Sequence, residues 1–373
     1  MPTQFRGPLR DDDQVSGTGG DRRLAPWTGV RLACLIRLDD VDDLRVERGG
    51  HRLEVHPKKP QMTSTATMTT KPATRAVSSS DLRCWRNGLR PTAAMVGRGS
   101  PEPVSFPDMT ANGFLLMADD GPVRTLTINN PHHKNAVPSD RWDDLAEAFF
   151  DFERSDQRVL VIAGSGSDFC AGADLSPAVM PGGGNVPSAA ENLATMAAPG
   201  GAATALHRVS KPTIAAVDGV AVGAGMNLAL GCDIIVATER ARFSEIFVQR
   251  GLTLDFGGTW LLPRLVGLAK ARELALTGRI VDAAEALEIG LVARVVAPDH
   301  LFETAATLAE ELASGAPLAQ RFVKVGLDRS TTMTFEQAIQ FEDQAQAVLL
   351  ASQDFAEGVR AFLAKERPEF EGR

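Results

Sequence analysis

The sequence predicts an α/β protein with a helical carboxyl-terminal end, and two features of the residue pattern lead to that prediction. Between residues 113 and 237, short apolar runs alternate with glycine-rich turns and with segments that carry apolar residues at helical spacing. After Thr259 strand-like runs become rare, and helical patterns follow one another to the end of the chain. Repeated strand–turn–helix units followed by helices are typical of an α/β domain with an added helical region.

The first predicted element is a β-hairpin, and an amphipathic helix comes next. Apolar residues at 114–117 and 123–128 flank the turn-forming residues 119–122. Ser139 is a suitable N-cap for a helix in which Trp142, Leu145 and Phe149 recur on one face. Further strands are predicted at 159–163, 213–217 and 234–237. Further helices are predicted up to residue 208 and at 226–230, 259–266, 269–276, 283–289, 301–313, 317–327, 335–350 and 355–364.

Residues 1–108 differ in composition from the rest of the chain. Clusters of Arg and Asp alternate there with Gly, Pro, Ser and Thr, and the compact apolar run at 30–38 is too short to form a core. Such a composition cannot bury enough apolar surface to offset the entropy of the chain. We therefore expect a disordered leader, or a mis-assigned start with Met109 as the true beginning. An arginine-rich tether for RNA or for a partner is the alternative.

Charge and composition limit the classes of function. The formal net charge is −8, and residues 1–108 hold 17 Lys and Arg against 13 Asp and Glu. The remaining residues hold 22 against 34, and such an acidic body argues against general nucleic-acid binding. No apolar run approaches the roughly 18 residues that cross a bilayer, so no membrane association is expected. The four cysteines and six histidines lack metal-ligand or disulfide spacing, which favours a metal-free protein of the reducing cytoplasm.

Two glycine-rich turns are candidates for a binding site. Residues 169–175 read Phe-Cys-Ala-Gly-Ala-Asp-Leu, and residues 219–227 read Gly-Val-Ala-Val-Gly-Ala-Gly-Met-Asn. Small residues let the backbone approach a ligand, and the first turn of a helix leaves N–H groups unpaired. If the two turns converged, two N–H groups would point at one oxygen atom and form an oxyanion hole. For either turn alone, an ordinary connection between a strand and a helix is the simpler interpretation.

Motifs for nucleotide binding and for nucleophilic catalysis do not occur in the sequence. The segment Gly223-x-Gly225 lacks the third glycine of a dinucleotide-binding fingerprint, because residue 228 is leucine. Neither a P-loop nor the G-x-S-x-G motif of serine hydrolases is present. Cys170 has no histidine in either turn to activate it, so it is interpreted as a small buried residue.

Asp255 is the candidate acid–base residue. It lies in an apolar segment just before Gly257 and Gly258, which open a predicted helix. Burial would raise the pKa of such a carboxyl group and suit it to proton transfer near neutral pH. An aspartate that caps the following helix is the structural alternative, and the residues alone favour the two interpretations equally.

Together these motifs resemble the crotonase (enoyl-CoA hydratase/isomerase) superfamily over nearly all of residues 112–373. The matching segments are 133–136, 170–175, 217–235, 257–265, 276–278 and 361–365. The resemblance implies a spiral of ββα units at 109–300, a helical trimerisation region at 301–373, and trimers or hexamers. It also implies an acyl-CoA thioester as substrate and no separate cofactor, since coenzyme A is part of the substrate.

The resemblance assigns site residues as well. Ala171 and Ala224 match the positions whose N–H groups bind the thioester oxygen. The other positions that match coenzyme A or acyl-CoA contacts are Lys134, Ala136, Gly172, Ala173, Asp174, Phe362 and Lys365. Phe362 and Lys365 match positions that often reach coenzyme A from a neighbouring subunit. A core phenylalanine and a solvated lysine are their simpler interpretations.

Two departures from the hydratase pattern favour an isomerase. Asn227 and Phe247 stand where the best-known enoyl-CoA hydratases have the two glutamates around the attacking water. Glu245 lies two residues before the second of these positions, so its side chain is expected to point elsewhere. Asp255 matches an aspartate of the ring-epoxide isomerase of phenylacetyl-CoA breakdown, and the sequence looks closest to that 1,2-epoxyphenylacetyl-CoA isomerase-like subgroup.

We therefore expect a double-bond or epoxide isomerase in which Asp255 shuttles a proton. The acyl pocket is expected to include the loop 181–187 and the side chains of Phe247 and Phe256. One alternative is an enoyl-CoA hydratase that activates water through Asp255. An alternative of another class is a non-catalytic homologue that binds acyl-CoA or RNA.

Overall fold

The structure of the chain is a computed structural model, and it describes residues 113–175 and 187–373. The predictions for residues 1–108 and for most of the loop 181–187 lie outside the described residues. Strands and helices alternate as far as residue 296, and helices then continue to residue 364. The predicted α/β fold with a helical end is therefore confirmed.

Two sheets form the framework of the fold. The described residues contain nine strands, which are β1 (Leu115–Asp120), β2 (Val123–Ile128), β3 (Val159–Gly164), β4 (Thr213–Val217), β5 (Val220–Val222), β6 (Ile234–Thr238), β7 (Arg242–Ser244), β8 (Val281–Asp282) and β9 (Arg294–Val296). The main sheet has the order β1-β2-β3-β4-β6-β9, and all its pairs are parallel except the hairpin of β1 and β2. The second sheet has the order β5-β7-β8. The pattern did not predict β5, β7, β8 or β9, because a run of two or three residues has no recognisable period.

The helices follow the predicted pattern with two differences. The described residues contain nine α-helices, which are α1 (Trp142–Arg154), α2 (Ala189–His207), α3 (Ala224–Leu230), α4 (Gly258–Thr277), α5 (Ala283–Glu288), α6 (Leu301–Ala313), α7 (Pro317–Ser330), α8 (Phe335–Leu349) and α9 (Gln353–Ala364). Ser139 does not cap α1, because the Arg141 N–H donates to the Pro138 carbonyl in a turn that delays the helix to Trp142. The two helices predicted across 259–276 form one element with a kink at Gly267.

The main sheet is covered by helices on both faces. One face packs against α1, α2 and α3 in the larger apolar cluster, which includes Phe149, Phe152 and Leu206. The other face packs against α6 through Leu301 and Leu308. Side chains on successive strand residues point to opposite faces, so a strand such as β3 is apolar throughout because both of its faces are buried. Although α6 follows residue 300, it completes the core.

The last three helices, α7 to α9, carry a large exposed apolar surface. Its most exposed members are Val323, Leu327, Phe335, Phe362 and Leu363. Large exposed apolar side chains such as these are candidates for contact with a partner. Within residues 113–175 and 187–373, none of the helices combines the length and the apolar character that crossing a membrane would require.

A buried lysine joins α1 to the start of β4. The Lys211 ammonium donates to the carbonyl oxygens of Phe152 at 2.9 Å and Ser155 at 2.6 Å. It also lies 4.9 Å from the centre of the Phe152 ring, and burial lowers its pKa to about 8. The ammonium adds to the bonds that the Phe152 carbonyl accepts from the Ser155 N–H and hydroxyl, and it also donates to the Ser155 carbonyl at the end of the helix.

We expect Lys211→Met to lower the free energy of unfolding by about 1–3 kcal/mol, because the Ser155 carbonyl would lose its ammonium donor and the Phe152 carbonyl would keep only its bonds from Ser155. Urea unfolding of the full chain measures this change. Arg154→Met is the matched control, since its exposed pair with Asp151 contributes less than about 1 kcal/mol. Equal effects of the two substitutions would contradict a stabilising role for the buried lysine.

Candidate active site

The two glycine-rich turns converge in the structure. Cys170 pairs with Ala221 in a short parallel bridge. The Cys170 N–H donates to the Val220 carbonyl at 2.9 Å, and the Val222 N–H donates to the Cys170 carbonyl at 3.1 Å. A Cβ atom on Gly225 would lie 2.2 Å from the Cys170 carbonyl oxygen, so this contact requires glycine. The turns therefore touch through their backbones, as the oxyanion-hole hypothesis requires.

Gly172 lies at the centre of this contact. Its φ angle is +85°, in the left-handed region that favours glycine. A Cβ atom at this position would lie 2.9 Å from the Val222 carbonyl oxygen and 3.3 Å from the Ala224 nitrogen. Any side chain here would push the first turn away from the N–H group of Ala224.

Of the two predicted N–H donors, Ala224 is free of protein acceptors in the described part of the chain, and Ala171 is not. Ala224 is the first residue of α3, and its N–H group has no protein acceptor among the described residues. The Ala171 N–H, in contrast, donates to the Lys134 carbonyl at 2.9 Å, so Ala171 does not fit as the free donor. Ala173 is exposed, and in the described part of the chain its N–H group donates to no protein acceptor. The geometry therefore favours Ala173 and Ala224 as the pair of free donors.

The pairing around the first turn explains this difference. The Val137 N–H donates to the Gly172 carbonyl at 2.8 Å, and the Asp174 N–H donates to the Val137 carbonyl at 2.9 Å. These parallel-bridge bonds use the groups on either side of Ala173, whose own N–H then faces away from Val137. The sequence contains no signal for this register, because the partner residues are more than 30 positions away.

Three of the predicted coenzyme A contacts, Lys134, Ala136 and Asp174, are engaged with protein groups. The Lys134 ammonium forms a 3.0 Å ion pair with Asp168, although the lysine side chain is 59% exposed. Ala136 is buried, and its N–H donates to the His133 carbonyl. The Asp174 carboxylate lies 3.1 Å from Nδ1 of His133. Of these residues, Lys134 has the most freedom to meet an anionic ligand, because its head group lies in solvent.

Phe362 and Lys365 lie at the end of α9 and are not joined to the two turns by hydrogen bonds. Phe362 is 81% exposed, which excludes the core-packing interpretation within one chain. Lys365 ends the helix in a left-handed conformation with φ of 57°. The hydrogen bonds of α9 lead to the last residues of the chain, as in the Asp354 carboxylate, which accepts from the Gly372 N–H at 2.9 Å. The contact of Phe362 and Lys365 with coenzyme A from a neighbouring subunit stays a prediction.

Asp255 lies beside the second turn, and its carboxyl group does not cap α4. The N-cap of that helix is Gly257, which has a left-handed conformation and receives no side-chain bond. The buried Oδ1 atom of Asp255 has no donor among the described residues, and burial raises the pKa of this carboxyl group to about 6. The capping alternative is therefore not met, and a carboxylate suited to proton transfer near neutral pH is present.

Asn227 and Glu245 complete the polar cluster around Asp255. Both side chains are fully buried. The Asn227 amide nitrogen donates to the Asp255 carbonyl at 3.0 Å and to Oε2 of Glu245 at 3.3 Å. Burial, with a smaller contribution from the Asp255 charge, raises the pKa of Glu245 to about 8. The Asn227 hydrogen bond opposes this rise.

The expectation that Glu245 points elsewhere was wrong. Strand β7 ends at Ser244, and a 3-10 helix at Ile246–Arg250 follows directly. Glu245 has φ of −81° and ψ of 64°, so the strand alternation that underlies a register argument no longer applies. The available signal was a lone glutamate within two residues of the apolar side chains Phe243, Ile246 and Phe247.

Phe247 occupies space beside the second turn. Its ring would lie 3.6 Å from a Cβ atom on Gly223, the N-cap of α3. Phe256 is buried against Trp142, with ring centres 5.7 Å apart. An apolar ring at Phe247 cannot position or protonate a water molecule, which agrees with the departure noted in the sequence.

Two converging turns with free N–H groups, next to buried carboxyl groups on an α/β spiral with a helical end, define the crotonase class of enzymes. A family model described as enoyl-CoA hydratase/isomerase matches residues 119–373. The chain therefore belongs to the enoyl-CoA hydratase/isomerase family of the crotonase superfamily.

Relatives of both reaction types are similar to this chain. The 1,2-epoxyphenylacetyl-CoA isomerase of Escherichia coli strain K12 is 38% identical over 262 residues, which cover 70% of this chain and 99% of that protein. The short-chain-enoyl-CoA hydratase of Clostridium acetobutylicum is 33% identical over 257 residues, which cover 68% and 96%. A crystal structure of an enoyl-CoA hydratase from Bacillus anthracis has a TM-score of 0.66 and 29% identity, covering 70% of this chain and all of that one.

Proposed function

We propose that this protein is an acyl-CoA isomerase that moves a double bond, or opens an epoxide, beside a thioester with Asp255 as the proton shuttle. The observation that carries the proposal is the Asp255 carboxyl group, whose pKa is raised to about 6 beside the two converging turns. At neutral pH most of this group is ionised and can accept a proton. The 38% identity of the chain to the Escherichia coli 1,2-epoxyphenylacetyl-CoA isomerase also supports an isomerase.

The proposed double-bond migration balances with a single carboxylate. Starting from a 3-enoyl thioester, Asp255 takes a proton from the carbon next to the thioester carbonyl, and the electron pair of that C–H bond moves onto the thioester oxygen. The N–H groups of Ala173 and Ala224 would hold the resulting enolate oxygen. The electron pair then returns, the double bond shifts by one position, and Asp255 gives the proton to the far carbon. No water is consumed, and the enzyme ends in its starting state.

An enoyl-CoA hydratase is the second candidate, and Glu245 is the observation in its favour. Hydration needs one group to activate water and another to protonate carbon, and Glu245 supplies a second carboxyl group next to Asp255. Against it, the Glu245 side chain is fully buried and bonded to Asn227, whereas a water-activating group must reach a water molecule beside the substrate. The buried position of Glu245 therefore favours the isomerase.

The proposal includes a coenzyme A site and an assembly. Lys134 would meet the coenzyme A phosphates by leaving its exposed pair with Asp168. Phe362 and Lys365, on the exposed apolar surface of α9, would complete the site of a neighbouring subunit in a trimer or hexamer. Coenzyme A enters as part of the substrate, and no other cofactor is needed for the proton shuttle.

Incubation with paired 2-enoyl- and 3-enoyl-CoA thioesters in deuterated water tests the proposed reaction. We expect the full chain to interconvert the two double-bond isomers and to leave deuterium in the product without adding water. Chromatography followed by mass spectrometry separates the isomers and counts the deuterium. A product heavier by one water would make the protein a hydratase and would refute the isomerase proposal.

A further inference from the structure

Three buried oxygen atoms in the candidate active site have no protein donor among the described residues. They are Oδ1 of Asn227, Oε1 of Glu245 and Oδ1 of Asp255. They belong to three separate segments, which are α3, the residue after β7 and the loop before α4. A buried acceptor without a donor is strongly unfavourable, and three in one cluster call for an explanation.

The side-chain amide of Asn227 is the hydrogen-bond donor to this cluster. The Asn227 nitrogen donates to the Asp255 carbonyl and to Glu245, so both of its N–H bonds are used. The orientation of this amide is determined, because the Asp255 carbonyl can only accept and must face the nitrogen. Asn227 therefore cannot serve as donor to any of the three unpartnered oxygens.

A proton on one carboxyl group would supply the missing donor. A protonated carboxyl group has one O–H, which turns an unpartnered acceptor into a donor for a neighbouring oxygen. Glu245 is the better carrier, because it is fully buried whereas Asp255 is partly exposed. Glu245 and Asp255 both lie around the Asn227 amide, and two ionised carboxylates in one buried cluster would also repel each other.

In the described part of the chain, no cation on the segments around Glu245 offsets a charge on its carboxyl group. Arg279 follows Gly278, whose carbonyl accepts from the Ser244 hydroxyl of β7, and its guanidinium is bound by Glu285 and Glu273. Arg242 of β7 donates to the carbonyls of Glu239 and Ala241. Arg250 of the adjacent 3-10 helix is exposed, and residues 176–186 contain no titratable side chain. Asp255 is the described titratable group whose charge acts on Glu245, and it opposes ionisation.

We propose that Glu245 is a positioning residue, held as a neutral carboxylic acid behind Asp255, whose O–H group keeps the Asp255 carboxylate ordered and ionised as the base. This role rests on the proposed isomerisation and adds a second residue to it. Ionisation of Glu245 would remove the O–H donor and place a second negative charge beside Asp255. Activity should therefore fall on the alkaline side as Glu245 loses its proton.

The pH profile of Glu245→Gln tests this role in the full chain. Glutamine keeps a donor in the same place and cannot ionise. In the unaltered protein, kcat/KM should fall about tenfold between pH 7 and pH 9, while the same ratio in E245Q should stay within about twofold. Comparing the two pH values within each protein removes any uniform loss of activity. The exposed Glu288→Gln on α5 is the matched control and should keep the alkaline fall.

Infrared difference spectroscopy between pH 7 and pH 9.5 reads the proton without any turnover. We expect a protonated-carboxyl band in the unaltered protein that disappears in E245Q and survives in D255N with its midpoint moved to lower pH. An alkaline fall that persists in E245Q, or the absence of the band from the unaltered protein, would overturn the proposal. If the chain isomerised no enoyl-CoA while the band titrated as expected, only the proposed function would fail.

Discussion

Replacing Asp255 with asparagine should lower the rate of isomerisation by about 10²- to 10⁴-fold, the range that a positioned acid–base group contributes. Asparagine keeps the shape of the side chain and the backbone carbonyl that Asn227 binds, but it cannot accept a proton from carbon. The measurement is kcat for double-bond migration with saturating enoyl-CoA thioester. The KM value should change little, since Asp255 is not expected to hold the coenzyme A moiety.

The stability of the Asp255→Asn variant separates chemistry from folding. The pKa of Asp255 is raised from 3.8 to about 6, so the folded protein binds more protons than the unfolded chain between these values. Stability due to this group therefore falls as pH rises from about 4 to 6 and stays reduced above pH 6. D255N should be at least as stable as the unaltered protein at pH 7. The exposed Asp343→Asn on α8 is the matched control, and full activity of D255N would refute the shuttle.

Replacing Ala224 with proline should lower kcat by about 100- to 1000-fold, the cost of removing one oxyanion-hole donor. Ala224 is the first residue of α3, where proline fits a helix and where the N–H has no intrahelical acceptor to lose. The substitution therefore deletes one N–H group with little change to the helix. Steady-state kinetics and a thermal melt of the same preparation measure the two effects.

A matched proline substitution controls for local backbone effects. Ala189 is the first residue of α2 and is exposed, and the capping box of that helix uses Ser188 and Glu191. Ala189→Pro should leave kcat within a few-fold of the unaltered protein. If Ala224→Pro folded normally and kept full kcat, the Ala224 N–H would not stabilise the enolate, and the oxyanion hole would have to be built from other groups.

Much of the fold could be predicted from residue patterns because its long elements are strongly periodic. The hairpin of β1 and β2, the strand β4 and the helix α6 lie where their apolar spacing indicates. The short strands of the second sheet could not be predicted, since they form through pairing with distant segments. The kink of α4 at Gly267 could not be predicted, because a glycine inside a helical pattern does not by itself indicate a positive φ angle, which is 75° here.

The candidate site was predictable to the level of its motifs. The small residues of the turns at 169–175 and 219–227 predict a binding site, and the structure brings the two turns into backbone contact. The apolar surroundings of Asp255 in the sequence predict a raised pKa, and burial in the structure raises the pKa of this carboxyl group. The identity of the free N–H in the first turn was not predictable, because the Ala171 N–H is occupied by a carbonyl 37 positions earlier in the chain, that of Lys134.

The sequence by itself determined the family, the fold class and the two turns, because these depend on local residue types in a fixed order. Only the tertiary structure decided that Ala173 has the free N–H group of the first turn and that Glu245 faces Asn227 and Asp255. The physical reason is the same in both cases. Whether a polar group is free, and whether a carboxyl group is charged, depends on burial and on partners that distant segments supply.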